Sequence, residues 1–473
     1  MSGSSDHLSL LQPELLELGR SLAHSFEKAN GNLLIVGGSV RDLLLRHSPE
    51  ELDLEVRGLS LDEVKTLLQA HYAFDEVGKA FGVLRLKAHP VEIALPRTEI
   101  KSGTGHKGFS VEVDPHLPFE QAAARRDFTF NALGLDPLTG QLLDPFGGFE
   151  DLHQRVLRHV GPAFVEDPLR VLRGMQFIAR LDLQADPETI RLCQSVTMEE
   201  LPPERVYGEW KKLILQGRNL SAGLNFLKEV GWLSYFPELE ALVDCPQDPE
   251  WHPEGNVWVH TLHCLDAFAR ERTGDGWEDL VVGFGVLCHD LGKPLTTHVA
   301  EDGRIRSPMH EPKGEKPTRS FLSRLTNQVD LHEEVVPLVR RHLTPRIFYQ
   351  DQAGDGAIRR LARKVKRIDR LVRVASADIA GRPPRQDDFP EGPWLLKRAE
   401  ELKVKDSEPK PIILGRHLIE HGLQPGPEFG PILEQCFEAQ LDGVFESEPD
   451  GFTFLQDFLS NRESTSSQRN PTY

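Results

Sequence analysis

The chain has 473 residues, 39% of them hydrophobic and 27% charged, enough apolar material to build cores for two or three domains of ordinary size. No apolar run approaches the roughly 20 residues needed to cross a bilayer, and the opening MSGSSDHLSL lacks the charged start and apolar stretch of a signal peptide, so a cytoplasmic location without membrane contact is expected. A net charge of -18 excludes a protein that coats nucleic acid non-specifically, because phosphate contacts need Lys and Arg, but it leaves room for local basic surfaces. Cys193, Cys245, Cys264, Cys288 and Cys436 are scattered and never spaced as CxxC, which fits reduced, mostly buried thiols rather than disulfides or a thiolate zinc site.

In chain order, residues 10–28 predict a helix and Leu33–Val36 a short buried strand. After Gly37 and Gly38 a second helix is expected from Ser39. LDLEV, KAFGVLRLKA and VEIALP then alternate as strands, giving a small mixed sheet that ends in the turn-rich stretch from Leu135 to Gly148. This sets a first domain at 1–148. Residues 149–218 read as helical, with Arg170, Arg173 and Arg180 among apolar positions, and 219–458 as a helical body holding most of the histidines. Within the body, Ile358 to Arg373 carries eight basic residues, with Ile358, Leu361, Val365, Ile368 and Val372 at helical spacing, so one face should pack inward and the other be strongly positive. The polar tail 459–473 has almost nothing to bury and is expected to lack structure. There are no repeats.

The sharpest local pattern is LLIVGGSVRD followed by ELDLEV. A strand that ends in Gly-Gly and turns into a helix at Ser39 lets backbone N–H groups approach phosphates, and the helix start adds a favourable field for anions. On the next strand Glu51, Asp53 and Glu55 share one face by the two-residue period. Adjacent carboxylates repel unless a cation neutralises them, which suits two Mg²⁺ ions about 4 Å apart. Glu92 on VEIALP can supply a third carboxylate.

GGSVRD with the acid-x-acid strand resembles the polymerase β nucleotidyltransferase superfamily. RRDFTFNAL (Arg125 to Leu133), DPFGG (Asp144 to Gly148) and EDPLRVLRGMQF (Glu166 to Phe177) narrow the resemblance to class II CCA-adding tRNA nucleotidyltransferases and their poly(A) polymerase relatives. It implies an α+β fold: a polymerase β-like head with a mixed sheet, an all-α neck and a helical body. It also implies catalytic Glu51, Asp53 and Glu92, with Mg²⁺ on Glu51 and Asp53. The family usually has Asp-x-Asp where this chain has Glu51-Leu52-Asp53, so the pair Asp53 and Glu55 is the alternative register. Gly37, Gly38, Ser39 and Arg41 would cradle the nucleotide. Arg126, Asp127 and Asn131 would hold its sugar and support the pocket, and Arg173 would contact phosphate.

Choosing a base without a template requires side chains that read its Watson–Crick edge, and Asp with Arg offers acceptor and fork donor. Asp167 and Arg170, at i and i+3, are expected on one helical face. By resemblance the EDxxR element, here Glu166, Asp167 and Arg170, does this. The Gly-, Lys- and His-containing stretch between Pro96 and Ala123 resembles the mobile loop of full CCA-adding and A-adding members. The implied reaction adds C and A to the tRNA acceptor end from CTP and ATP, releasing pyrophosphate, with no obligate protein partner. A poly(A) polymerase or A-only enzyme is the alternative within the class.

His260, His289-Asp290 and Asp378 resemble the H…HD…D pattern of HD phosphohydrolases, with His310 and His342 at the positions of extra ligands in two-metal members. Imidazoles with carboxylates suit a divalent transition metal or Mg²⁺. The resemblance implies phosphohydrolase or phosphodiesterase action, for example on 2′,3′-cyclic phosphates. An HD phosphohydrolase whose head only binds RNA is the alternative from another class.

Overall fold

The computed structural model describes residues 7–77, 82–101, 109–199, 201–382 and 388–467. The chain forms two compact units, Met1–Tyr235 and Phe236–Tyr473.

In the first unit, strands β1 (Asn32–Val36), β2 (Leu52–Arg57), β3 (Phe74–Val77), β4 (Val83–Leu86), β5 (Val91–Ala94), β8 (Gly134–Leu135) and β9 (Leu142–Leu143) make one sheet in the order β3-β4-β5-β2-β1-β8-β9. Only β2 and β5 run parallel among these neighbours, so the sheet is mixed. Helix Pro13–Glu27 starts on a proline that presets its first turn, and it buries Leu15, Leu18, Leu22 and Phe26 against the sheet's core. Strands β6 (Arg97–Lys101) and β7 (Phe109–Val113) pair as a separate antiparallel hairpin. They occupy the stretch expected to be a mobile loop, whose tip, 102–108, lies outside the described residues.

Helices Leu169–Leu181, Pro203–Gln216 and Leu220–Glu229 pack on one another beyond the sheet. Helix Leu220–Glu229 therefore joins the neck helices, whereas the sequence pattern put the start of the body at 219. Head and neck are joined by rings: Phe128 and Phe130 of the head lie 5.8 and 5.3 Å from Phe177 of the neck, and Phe164 lies 5.6 Å from Phe128. Each such pair contributes about 0.5–1.5 kcal/mol beyond area burial.

The second unit is helical. Helices Val257–Arg270, Gly276–Cys288, Val329–Arg341 and Ile368–Ala380 surround the histidine cluster. The basic run is not one helix with a positive face. It breaks at Lys366, where φ is +61, into Asp355–Val365 and Ile368–Ala380. Its arginines are neutralised: Arg359 pairs with Glu446, Arg360 with Glu438 and Asp442, Arg363 with Glu434, Arg367 and Arg370 with Glu278, and Arg373 with Asp279. The final helix, Glu448–Ser467, runs on past 459 into the segment expected to lack structure. All five cysteines are free and buried, and no described helix is long and apolar enough to cross a membrane.

Candidate active site in the head and metal centre in the HD region

Gly37 carries φ +65, a conformation that favours glycine, and a Cβ there would lie 2.6 Å from Arg126 Nη1, so a side chain at this position would also displace the Arg126 guanidinium. Helix Gly38–Leu44 follows directly. Ser39 ties this turn to the carboxylate strand, because its hydroxyl donates to the Glu51 carbonyl (3.1 Å) and accepts from the Asp53 N–H (3.0 Å).

The row of acids divides by partner. Glu55 is buried and engaged, accepting from Arg57 at 2.9 Å with Arg126 at 4.0 Å. Glu92, the register neighbour of Asp53, accepts from Arg85. Glu51 and Asp53 form no ion pair among the described residues. Burial raises the Asp53 carboxyl above its usual range; Glu92 and Glu51 push the same way, against Arg126 and Arg41. A crowded carboxylate that burial and like charge both disfavour is chemically suited to a divalent cation, and Glu51 is the free acid beside it. These two residues line a cleft of about 470 Å³ that also contains Gly38, Ser39, Arg180 and Arg218.

Arg126, Asp127 and Asn131 form the floor behind the turn. Asn131 accepts from Arg41 Nη1 (3.0 Å) and donates to Asp127 Oδ1 (3.0 Å), while Arg126 Nη1 donates to the Asn131 carbonyl (3.2 Å). Asp127 also accepts from the Phe128 N–H (2.8 Å) and from Arg173 Nε (2.6 Å). Burial alone would raise its pKa, but Arg173, Asn131 and the Phe128 N–H outweigh that and hold it below the usual value. Arg173, expected at phosphate, is thus paired with a buried carboxylate. It also lies over the Phe177 ring, as do Arg41 and Arg180, with centroid distances of 5.4, 5.1 and 5.7 Å.

Asp167 and Arg170 do not share a helical face. Helix Leu169–Leu181 begins after Pro168, and the residue before a proline is driven out of the helical region, so Asp167 is extended at φ -125 and ψ 100. Its carboxylate accepts from Arg205 Nη2 (2.8 Å), a partner on helix Pro203–Gln216 that sequence reasoning missed. Arg170 donates to the carbonyls of Ala163 and Arg125, both at 2.6 Å, and Glu166 accepts from Arg125 Nη2 at 2.5 Å.

In the second unit His260, His289, Asp290, His310, His342 and Asp378 are all buried and converge. His289, His310 and His342 each donate Nδ1–H to a backbone carbonyl, of Val286 (2.7 Å), Ser307 (2.8 Å) and Val339 (2.7 Å). His260 Nδ1 faces Glu254 Oε1 at 2.9 Å, which His252 also contacts at 2.8 Å. A carbonyl can only accept, so Nδ1 carries a proton in the first three rings and Nε2 is the atom turned inward, the orientation of metal-bound imidazoles. The Nε2 atoms of His310 and His342 lie 3.3 Å apart, close enough to share a proton or to bind one cation together.

Asp290 spans the cluster, with Oδ2 3.2 Å from His289 Nε2 and Oδ1 3.4 Å from His310 Nε2, while His260 Nε2 meets Asp378 Oδ1 at 3.0 Å. Burial, reinforced by His289 and His310, pushes His342 down to about 3, the neutral form a metal needs. Gly292 lets the chain bearing His310 come close, since a Cβ there would sit 1.9 Å from the His310 carbonyl oxygen. Lys293 Nζ (2.7 Å from Asp290) and Arg382 (2.8 Å from Asp378) complete the charge balance. His252, Glu254, Lys293 and Arg382 were not singled out from sequence, although His-Pro-Glu stands just before His260.

Residues 33–158 match the poly A polymerase head domain and residues 257–374 the HD domain, which makes the chain a nucleotidyltransferase carrying a second, HD-type centre. A multifunctional CCA protein of Xanthomonas campestris is 37% identical over 417 residues, covering 85% of this chain and 96% of that protein. One from Stenotrophomonas maltophilia is 38% identical over 380 residues, 77% of this chain and 90% of that protein. The chain belongs to the family of multifunctional CCA proteins. Among solved structures, the Bacillus stearothermophilus CCA-adding enzyme with CTP has a TM-score of 0.66 at 21% identity, covering 96% of this chain and 100% of that one. The Thermotoga maritima CCA-adding enzyme with tRNA has a TM-score of 0.59 at 20% identity, covering 96% and 98%. At these identities the likeness is one of fold.

Proposed function

We propose that this protein adds C and A to the 3′ end of tRNA from CTP and ATP without a template, releasing pyrophosphate, in the cytoplasm. The near full-length match to multifunctional CCA proteins carries the reading. The junction at Ser39, which fixes the glycine turn against Glu51 and Asp53, supplies its chemistry.

The turn at Gly37 to Ser39 would receive the triphosphate on backbone N–H groups, with Arg41 and Arg126 adding charge. Glu51 and Asp53 would hold Mg²⁺, and an ion held there would supply charge that favours deprotonation of the attacking 3′-hydroxyl and release of pyrophosphate. Arg57 and Arg85 keep Glu55 and Glu92 occupied, so we assign the metal pair to Glu51 and Asp53 rather than Asp53 and Glu55. Asp167 would accept from the exocyclic amine of C or A while Arg170 donates to the ring edge. Arg205 and the Ala163 and Arg125 carbonyls hold these two side chains in place, so little ordering remains when a base arrives.

Incubating tRNA that lacks its 3′ end with CTP alone, ATP alone or both tests the reading. Two C residues with CTP alone and CCA with both are expected. Efficient addition from ATP alone would replace it with A-only or poly(A) addition.

The inward Nε2 atoms of the HD cluster favour a second activity. We infer that His260, His289, Asp290 and Asp378, with His310 and His342, hold one or two divalent ions, a transition metal or Mg²⁺, in a phosphodiesterase acting on RNA ends such as 2′,3′-cyclic phosphates. Metal-loaded protein inert toward 2′,3′-cAMP and cyclic-phosphate RNA ends would overturn this.

A further inference from the structure

The H…HD…D pattern contains no cysteine, but the fold puts one inside the cluster that the pattern forms. Cys264 lies one turn after His260 on helix Val257–Arg270, so the two side chains share a face, and both are fully buried. The Cys264 Sγ stands 3.4 Å from His260 Nε2 and 3.9 Å from the Asp378 carbonyl oxygen. His260, Cys264, His289 and Asp378 each offer one ligand atom, and these four atoms all lie within 4.8 Å of one another. Asp290, His310 and His342 form a second such group. The centre therefore has two unlike halves, one with sulfur and one with nitrogen and oxygen alone.

A buried cysteine can serve as a small apolar side chain and nothing more, so its placement has to decide. A thiolate about 2.3 Å and an imidazole nitrogen about 2.1 Å from one tetrahedral zinc stand about 3.6 Å from each other, close to the 3.4 Å between Sγ and His260 Nε2. The backbone holds the sulfur in place. A Cβ on Gly381 would lie 2.4 Å from Sγ, so this glycine lets the end of helix Ile368–Ala380, which carries Asp378, close over Cys264. The neighbouring nitrogens are aimed into the same group. His289 Nε2, on a ring 1% exposed, makes no hydrogen bond of acceptable geometry among the described residues, although Asp290 Oδ2 is 3.2 Å away. The Glu254 carboxylate accepts from His260 Nδ1 at 2.9 Å, which leaves Nε2 as that ring's ligand atom. CxxC spacing does not announce such a site, because two of its ligands come from other parts of the helical body.

Building on the proposed reading of this cluster as a metal centre, we infer that Cys264 is a thiolate ligand of the ion held by His260, His289 and Asp378, and that it makes this half of the centre select a zinc-class ion over Mg²⁺ or Mn²⁺. Thiolate is a soft ligand that suits zinc, whereas Mg²⁺ and Mn²⁺ favour oxygen. The thiol gives its proton to water as the sulfur–metal bond forms, so no other reactant is needed.

The test strips full-length protein with a chelator and loads it with Co²⁺, which takes the place of zinc and reports its ligands by absorption. Wild type should show the visible bands of bound cobalt together with a near-ultraviolet thiolate-to-cobalt charge-transfer band. Cys264→Ser and Cys264→Ala, with melting as the check on folding, should keep the visible bands and lose the charge-transfer band. Cys288→Ser, next to His289 in the chain, should keep both. In chelator competition Cys264→Ser should lower Zn²⁺ affinity at least about tenfold, the least that even an outer-shell change costs, and Mn²⁺ affinity by a smaller factor. A wild-type cobalt protein without the charge-transfer band would overturn the assignment with no variant required, while leaving the metal centre standing. A band that survives in both Cys264 variants, or equal losses of Zn²⁺ and Mn²⁺ affinity, would overturn it too. A wild type that takes up no cobalt would defeat the metal centre itself, and the Cys264 assignment with it.

Discussion

Replacing Asp127 with Ala should unfold the first unit early. Asp127 is buried and accepts from Arg173, Asn131 and the Phe128 N–H; its removal takes away the carboxylate that pairs directly with the half-buried Arg173 guanidinium and leaves it only the more distant Glu209 and Asp167. Breaking a buried pair on one side costs about 3–5 kcal/mol. A unit of 235 residues shifts by about 2–4 °C per kcal/mol, so the first melting transition should fall by about 6–20 °C. Adding Arg173→Met to Asp127→Ala should recover part of the loss, since the second change removes the stranded charge. The pH dependence is set by the same pair. The folded Asp127 pKa lies below its unfolded value, so its contribution is complete above about pH 5 and is lost as pH falls through the unfolded and then the folded pKa, from about pH 4 downward. Differential scanning calorimetry of wild type and variants between about pH 2 and pH 8 measures both effects. A shift under about 2 °C at pH 7, or a double variant no more stable than the single one, would refute the pair's structural role.

Other sites give further expectations. Gly37→Ala forces a Cβ into a left-handed residue and against Arg126, so it should weaken CTP binding at least tenfold while costing more than about 1 kcal/mol in stability, read by nucleotide titration and melting. Phe177→Ala removes the ring that joins head to neck and backs three arginines; about 3–5 kcal/mol of stability should go, together with nucleotide affinity. His342→Ala should lower the metal content of purified protein, measured by elemental analysis, without changing CMP incorporation by the head. Retention of full metal content would remove His342 from the ligand set.

Much of the site was legible because its parts are local. Gly37-Gly38-Ser39, the alternation of Glu51, Asp53 and Glu55, and His289-Asp290 each lie within a few residues, where period and turn chemistry are readable. The partners that decide their roles are distant. Arg205 reaches Asp167 across 38 residues, and Asp378 meets His260 across 118, separations at which periodicity says nothing. The engagement of Glu55 by Arg57 could have been read, since residues two apart on a strand share a face. The placing of Asp167 and Arg170 on one helix failed at Pro168, whose effect on the preceding residue outweighed the i, i+3 spacing. Lys366 adopts positive φ with no glycine or asparagine to announce it, and the break it makes turned one expected basic helix into two with paired arginines.

The most direct measurement is incorporation of labelled CMP and then AMP into tRNA lacking CCA, by wild type and by Asp53→Asn and Glu55→Gln variants shown by circular dichroism to be folded. Wild type should complete CCA. Asp53→Asn should lose at least about a thousandfold in rate, the scale of removing a metal-binding carboxylate's several kcal/mol of transition-state stabilisation. Glu55→Gln should keep most of its activity. An active Asp53→Asn enzyme, or a folded wild type that adds neither C nor A, would contradict the account.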